Sequence, residues 1–333
     1  MKALVTGGGG FLGGAIVRLL RSKGAEVRNF SRGDYPELAA LGVESVKGSV
    51  ADPAAAAAAC AGCDTVFHVA AKVGMWGRYE DFYRDNTAGT EILLAAARGA
   101  GVEKFIFTST PSVVYPAGGA EVEGWNESAP YPARSESPYA ATKALAEKAV
   151  LAANDDSFST VSLRPHLVWG PGRDHMVSTI IARGRAGKLR RIGSFNKPID
   201  TTYIDDAAAA HLLAAERLAP GTACAGKSYF ISQGDPRPNW DIVNMILSAA
   251  GAPPVTRSVP YPAALAAAAV LETAWRLSGA ESEPPLTRFV VRQLTTAHWF
   301  DISAARRDLG YSPSVTIEEG MLRLADWLRS AEK

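Results

Sequence analysis

The sequence has few cysteines, no excess of one charge and no long apolar run. Three cysteines in 333 residues cannot build a disulfide framework, which favours a reducing, cytoplasmic location. Lys and Arg total 35 and Asp and Glu total 34, so the charge gives no reason to expect a nucleic-acid partner. The longest apolar stretch, 262–271, is well short of the ~20 residues of a transmembrane helix. Strand-like sequence begins at Lys2, so we expect no secretory signal.

Two local features have a structural interpretation beside a functional one. Cys60 and Cys63 form a C-x-x-C pair, but no further zinc ligands lie near them in the sequence, and Gly62 is typical of a helix end. We therefore expect no metal site. The Ala-rich run 262–276 is apolar enough to be buried or to contact lipid at a membrane surface, so peripheral membrane contact stays open as an alternative.

Strand-like and helix-like segments alternate through the first half of the chain, which predicts parallel strands joined by right-handed crossovers. The fold class expected is α/β, with a Rossmann-like doubly wound parallel sheet. The expected strands are 2–6, 25–30, 43–48, 64–71, 103–110 and 158–165.

The expected domain organisation follows from where this alternation stops. Residues 1–165 should form a dinucleotide-binding domain, to which strands near 198–204 and 227–232 return. Residues 166–333 should form a smaller, mostly helical, substrate-binding portion, because helix-like sequence dominates after Pro236.

Glycines separate the first strand from the first helix, in TGGGGFLG at 6–13. Gly7, Gly10 and Gly13 stand three residues apart. Glycine permits a tight turn with positive φ and lets the backbone approach a pyrophosphate, while the helix N-terminus offers free N–H groups. Between a strand and a helix, this spacing predicts a dinucleotide site.

The end of the second strand indicates which dinucleotide binds. NAD sites usually carry a carboxylate there, for the ribose 2′-OH. This chain has Ser31 and Arg32 instead, which suit a 2′-phosphate, so we favour NADPH/NADP. Two alternatives stay open: Arg32 could simply face solvent, and Asp34 is near enough to allow NADH/NAD.

Tyr139 and Lys143 are spaced to share one face of a helix. An ammonium group one turn away should lower the pKa of the phenol, which is otherwise about 10. The fifth strand ends in Ser109 and Thr110, at the edge where open α/β sheets bind ligands. A hydroxyl there could hold a substrate carbonyl oxygen, although such residues also cap turns.

Several motifs together resemble the extended short-chain dehydrogenase/reductase superfamily, and the match covers nearly the whole chain. They are TGGGGFLG, HVAA, TSTPSVV, YAATK and LRPHLVWGPG. Within it the chain resembles the 3β-hydroxysteroid dehydrogenase-like branch. AAKVGMWG, AGKSYFIS and LTRF are similar to bacterial reductases of long-chain olefin biosynthesis. The resemblance implies NADPH-dependent reduction of the 3-keto group of a lipid-like 2-alkyl-3-oxoalkanoic acid.

The resemblance also implies roles for individual residues. Tyr139 would be the general acid, and Lys143 would adjust its pKa and bind the nicotinamide ribose. Thr110 would be the catalytic hydroxyl with Ser109 as the fallback, and Asn86 would position a water in the proton relay. The expected cofactor-binding residues are Gly7, Gly10, Phe11, Leu12, Gly13, Ser31, Arg32, Ser49, Val50, Ala70, Ala71, Lys143 and Pro165. Ser49 and Val50 stand where relatives commonly carry Asp, so an adenine contact could differ.

Candidate substrate residues are Lys72, Trp76, Ser109 and His166. Lys72 could pair with a substrate carboxylate or be a solvated loop charge. His166 could line the pocket, but a hydrogen-bonded structural histidine is the simpler interpretation. Trp76, Trp169 and Trp240 could line an apolar cavity or belong to the core.

Other functions fit the same motifs. The enzyme alternatives are an NAD-dependent 3β-hydroxysteroid or sterol-4-carboxylate dehydrogenase and a nucleotide-sugar epimerase, and the non-enzyme alternative is a dinucleotide-sensing regulator. The presence of Tyr139, Lys143 and Thr110 together favours catalysis. The family resemblance also implies a homodimer formed through the helices near 79–98 and 138–153.

Overall fold

The computed structural model describes residues 1–172, 174–280 and 282–331. Arg173, Glu281 and the last two residues of the expected substrate-binding portion lie outside this range. The strands are β1 Lys2–Thr6, β2 Glu26–Ser31, β3 Glu44–Lys47, β4 Thr65–His68, β5 Lys104–Thr108, β6 Val122–Trp125, β7 Ser159–Pro165, β8 Val168–Trp169, β9 Arg191–Ile192, β10 Pro198–Ile199, β11 Thr202–Tyr203, β12 Lys227–Ile231, β13 Arg237–Pro238, β14 Ser258–Val259 and β15 His298–Phe300.

The α-helices are α1 Phe11–Ser22, α2 Pro36–Ala40, α3 Pro53–Cys60, α4 Tyr79–Phe82, α5 Gly89–Gly99, α6 Pro138–Ala152, α7 His175–Arg185, α8 Ile204–Arg217, α9 Asn239–Ala249, α10 Tyr261–Ser278, α11 Arg288–Gln293, α12 Ser303–Leu309 and α13 Ile317–Ala331. A π-helical turn, Tyr83–Ala88, joins α4 to α5, and a 3₁₀ turn, Pro111–Val114, follows β5. The single helix expected over 79–98 is therefore interrupted at the turn that holds Asn86.

Seven parallel strands form the large sheet, in the order β12-β7-β5-β4-β1-β2-β3. The chain winds outward in one direction from β1 and in the other from β4, so a crevice opens at their carboxyl ends, where such folds bind ligands. The expected α/β, Rossmann-like doubly wound sheet is confirmed.

Both faces of the sheet are covered, as a parallel sheet requires. Along β1, Ala3 and Val5 pack into one core cluster and Leu4 into the other, because successive side chains of a strand point to opposite faces. Helices α1 and α8 pack together on the first side, while α3, α5 and α6 cover the second.

One expectation about the second half of the chain is right and one is wrong. The strand at 227–231 joins the large sheet beside β7. The segment 198–204 does not, because β12 already occupies that edge. Instead β11 pairs with β8 just beyond the end of β7, and β10 joins β13, β15 and β6 in a four-stranded sheet.

The two ambiguous segments are now placed. Cys60 and Cys63 are free and buried at the end of α3, and burial raises the pKa of the Cys60 thiol to about 12.

Within the described ranges, no helix is both long and apolar enough to cross a bilayer. The Ala-rich run lies in α10, which buries Ala264, Ala268 and Glu272. Val270 in the run is exposed, as is Leu277 just after it, so the run is only partly buried and the alternative of membrane contact stays open.

Candidate active site

The glycine loop after β1 forms a cradle with no side chains in it. Gly7 has a φ of +68°, and its carbonyl accepts the Gly10 N–H at 2.9 Å. A Cβ atom on Gly13 would lie 2.2 Å from the Gly7 oxygen, so this position cannot carry a side chain. No side chain caps the N-terminus of α1, which leaves its first N–H groups free for an anion.

A cleft of about 540 Å³ extends from this cradle along the carboxyl ends of the strands. It is lined by every residue predicted to bind cofactor, including Ser49, Val50 and Pro165. Tyr139, Lys143, Thr110, Ser109 and Lys72 line it as well. The sheet therefore brings together residues that lie up to 158 positions apart in the sequence, from Gly7 to Pro165.

The end of the cleft beneath β2 contains Ser31 and Arg32. The Arg32 side chain is 73% exposed and lies 3.6 Å from the Asp85 carboxylate, while the Ser31 hydroxyl donates to Asn29 at 2.7 Å. Asp34, which kept NADH open as an alternative, pairs with Lys47 at 2.6 Å and does not line the cleft. Arg32 is thus largely exposed at the rim of the cleft, with one long ion pair to Asp85, and its role toward a 2′-phosphate stays a prediction.

The reactive groups come from α6 and the end of β5. Ser137 caps α6 by accepting the Ala140 N–H, which sets the first turn that carries Tyr139. Burial raises the pKa of the Tyr139 phenol to about 12, and a hydrogen bond with Thr110 opposes that rise. The lowered phenol pKa expected from Lys143 is therefore wrong here, because desolvation outweighs the neighbouring groups. A phenol in this state keeps its proton at neutral pH.

Lys143 lies one turn farther along the same face of α6. Its Nζ donates to the Thr108 carbonyl at 2.7 Å and lies 3.8 Å from the centre of the Phe107 ring. Burial lowers the pKa of Lys143 to about 7, and the Glu147 carboxylate opposes that shift. At neutral pH Lys143 is therefore roughly half protonated, and the acid in the next turn of the helix favours its charged form.

Asn86 does not line the cleft, but it bonds to residues that support the cleft. Its amide accepts the Lys72 N–H at 2.7 Å, donates to the Lys72 carbonyl at 3.0 Å, and donates to the Thr142 hydroxyl of α6 at 3.2 Å. These bonds tie the loop after β4 to the helix that carries Tyr139. The structure thus shows Asn86 as a positioning group; whether it also orders a water stays a prediction.

The sequence matches known proteins over nearly the whole chain. The profile of the 3-beta hydroxysteroid dehydrogenase/isomerase family matches residues 4–260. The chain belongs to this family. It is 50% identical to a 2-alkyl-3-oxoalkanoate reductase of Stenotrophomonas maltophilia strain K279a, over 97% of this chain and 98% of that protein.

Two further comparisons bear on the chemistry. A 2-alkyl-3-oxoalkanoate reductase of Shewanella oneidensis is 49% identical, over 97% of this chain and 85% of that protein. The structure of UDP-glucose 4-epimerase from Thermus thermophilus in complex with NAD superposes with a TM-score of 0.75, at 26% identity, over 99% of this chain and 100% of that one. This 3-beta hydroxysteroid dehydrogenase family member is an NAD(P)-dependent oxidoreductase with a nicotinamide dinucleotide cofactor, which confirms the expected enzyme class.

Some candidate substrate residues of this family member lie elsewhere than expected. A second cavity, of about 980 Å³, lies beside the cleft, and His166 lines neither space. Its ring nitrogens bond instead to the Asp200 carboxylate at 2.5 Å and the Tyr115 hydroxyl at 2.9 Å. The structural interpretation of His166 holds. Trp169 and Trp240 are core residues, whereas Trp76 lines the adjacent cavity.

Asp85 and Tyr35 are among the cleft residues that the sequence reasoning missed. Asp85 faces Arg32, and no local spacing links the two positions. Tyr35 lies over the glycine loop, where a Cβ atom on Gly9 would come within 2.2 Å of its ring. Gly9, the third glycine of the run and outside the spacing of Gly7, Gly10 and Gly13, was the available signal for that close approach.

Replacing Gly13 with Ala should weaken dinucleotide binding. The new Cβ meets the Gly7 backbone, which has no flexible atoms to move aside, so the turn must open. We expect dinucleotide affinity to fall by about 10- to 100-fold in a fluorescence titration, the equivalent of about 1.4–2.8 kcal/mol. Gly99→Ala is the matched control, because a Cβ there meets nothing within 4 Å. Unchanged binding in Gly13→Ala would mean that the cradle does not hold the cofactor.

Proposed function

We propose that this enzyme uses NADPH to reduce the 3-keto group of a lipid-like 2-alkyl-3-oxoalkanoic acid to the 3-hydroxy group. One observation carries the proposal: Tyr139, Lys143 and Thr110 line the same cleft that begins at the glycine cradle. The full-length similarity to two 2-alkyl-3-oxoalkanoate reductases supports the choice of substrate.

The residues present fit a nicotinamide dinucleotide. The cradle of Gly7, Gly10 and Gly13 would hold the pyrophosphate at the N-terminus of α1, and Ser31 with Arg32 would hold a 2′-phosphate. Lys143 would contact the nicotinamide ribose. When bound, the cofactor supplies the hydride.

The chain itself supplies position and the proton. Thr110 holds the substrate oxygen, and Tyr139 delivers its phenolic proton as that oxygen gains charge. A phenol with a pKa near 12 is fully protonated at neutral pH, which is the form that a reduction needs. The Lys143 ammonium then stabilises the phenolate that remains, so its charge matters most after the proton has left.

Product analysis with purified protein tests this function. One arm contains NADPH and a freshly prepared long-chain 2-alkyl-3-oxo acid, and the other contains NAD and a 3β-hydroxysteroid. The proposal expects the 2-alkyl-3-hydroxy acid from the first arm. Turnover in the second arm alone would favour the steroid dehydrogenase function, which a relative 34% identical to this chain carries in its name.

Replacing Arg32 with Asp should reverse the cofactor preference. The substitution removes a cation from the proposed 2′-phosphate site and adds an anion, so we expect the KM for NADPH to rise about 10- to 100-fold while that for NADH changes little. Steady-state kinetics with both cofactors measures this. The control is Lys47→Ala, which removes a cation paired outside the cleft. Equal changes for both cofactors would contradict the 2′-phosphate assignment.

The remaining expectations about the molecule's surroundings also belong to this proposal. Exposed Tyr79, Tyr83 and Leu145 on and beside α4 and α6 support a homodimer through these helices. Exposed Val270 and Leu277 on α10 support peripheral contact with a membrane that holds a lipid-like substrate. We also propose that the enzyme is cytoplasmic and takes part in olefin biosynthesis.

A further inference from the structure

A second cavity, of about 980 Å³, lies beside the cofactor cleft. Its walls come from the loop after β4, the segment before α6, and helices α10 and α11. Lys72 is the one described residue that lines both spaces. Pro138 lines the cavity and its neighbour Tyr139 lines the cleft, so the two spaces also adjoin at the start of the catalytic helix.

Lys72 is held at this junction through its backbone. Both its N–H and its carbonyl bond to the side chain of buried Asn86, which also bonds to Thr142 on α6. The Lys72 ammonium lies 5.3 Å from the centre of the Phe82 ring. Because the anchoring contacts use only main-chain atoms, the side chain can change without loosening the loop.

The second cavity has an unbalanced charge. Its acids already have partners: Glu136 pairs with Arg292, Glu272 with Arg288, and Asp81 with Arg84. Among the described residues, no carboxylate lies within ion-pair distance of three cations that line the cavity. These three are Lys72, Arg134 and Arg276. An anionic group entering the cavity therefore finds cations that have no acid of their own.

The spacing of groups in a 3-oxo acid decides which cation can reach its carboxylate. One carbon separates the carboxylate carbon from the keto carbon, so the two groups lie within about 3 Å of each other, two C–C bonds of about 1.5 Å. A carboxylate whose keto oxygen is at Tyr139 therefore stays close to Tyr139, whose neighbour Pro138 already lines the second cavity. Arg134 and Arg276 line the cavity but not the cleft, whereas Lys72 lines both.

Resting on the function proposed above, we propose that the Lys72 ammonium binds the substrate's carboxylate and thereby selects β-keto acids over neutral ketones. One alkyl chain of the substrate then binds in the second cavity, and the substrate's carboxylate lies beside Lys72. Most of the cavity lining is polar or charged, and Met75, Trp76, Trp275 and Phe289 form the apolar part that an alkyl chain can contact. Arg134 and Arg276 add a positive field that attracts anionic substrates.

Paired substrates that differ only in charge test this assignment. β-Keto acids lose CO₂ in water, so the assay runs in the oxidation direction with NADP and a 2-alkyl-3-hydroxy acid or its methyl ester. Lys72→Met removes the charge at similar volume, and Lys72→Arg retains it. Lys23→Met is the matched control, an exposed lysine at the far end of α1.

We expect Lys72→Met to raise the KM for the acid by about tenfold or more while the KM for the ester stays at the wild-type value. Lys72→Arg should recover most of the acid's KM, and Lys23→Met should match the wild type. A change that is the same for acid and ester, or no change for either, would overturn the assignment. If the wild type oxidises neither compound, the proposed function itself fails. If the wild type is active and Lys72→Met behaves like it, only the assignment of Lys72 fails.

Discussion

Tyr139→Phe should lower kcat by about 10²- to 10⁴-fold, the usual contribution of a positioned general acid. The substitution removes only the phenolic oxygen and leaves the half-buried ring in place. NADPH should therefore bind to the variant nearly as well as to the wild type. Steady-state turnover together with a fluorescence titration of NADPH separates the two effects.

The control for this prediction is Tyr261→Phe, which removes a phenol on α10 that lines neither cavity. It should retain wild-type turnover. If Tyr139→Phe turned over normally, the proton would have to come from another group, and the chemical role of this cleft would need a different account. If the variant lost both turnover and NADPH binding, the loss would point to a damaged cleft.

Glu147→Gln should lower the free energy of unfolding by about 3–5 kcal/mol, the typical cost of breaking a buried ion pair. Glu147 is fully buried and bonds to Arg164, which is only 2% exposed, as well as to Tyr131 and Ser162. Burial alone would raise the pKa of this carboxyl, but Arg164 holds it below its usual range. The variant leaves the Arg164 charge buried without a counter-ion. Urea unfolding measures the loss.

The pH dependence of this pair has a definite sign. Because the folded-state pKa of Glu147 is depressed, its contribution to stability is present above the ordinary glutamate pKa and is lost as the pH falls through the folded value. The control Glu91→Gln, at an exposed position on α5, should change stability little. A double variant, Glu147→Leu with Arg164→Met, should regain much of the lost stability, because no charge is left unpaired. A double variant as unstable as Glu147→Gln would contradict the ion-pair explanation.

The parts of this enzyme that depend on local sequence were predictable. Gly7, Gly10 and Gly13 act through one turn and one helix N-terminus, and Tyr139 and Lys143 act through one turn of α6, so spacing alone indicates their geometry. The alternation of strands and helices likewise predicted the parallel sheet. These features need no knowledge of distant partners.

The parts that depend on distant partners were not predictable. His166 bonds through its ring nitrogens to Tyr115 and Asp200, which come from two different segments of the chain. Sequence spacing could not show that these nitrogens already have partners. Arg32 meets Asp85 only because β2 and the π-helical turn converge on the cleft. The second cavity is assembled from segments near 72–81, 134–138, 272–280 and 287–292, and their spacing in the sequence does not indicate that they meet.

Transfer of label between substrate and cofactor tests the central claim most directly. A 2-alkyl-3-hydroxy acid with deuterium at C3 is incubated with NADP and purified protein, and the reduced cofactor is analysed by mass spectrometry. The account predicts deuterium in NADPH, far less label with NAD, and almost none with Tyr139→Phe. An unlabelled cofactor despite bound NADP, or label that arrives only on NAD from a 3β-hydroxysteroid, would contradict it.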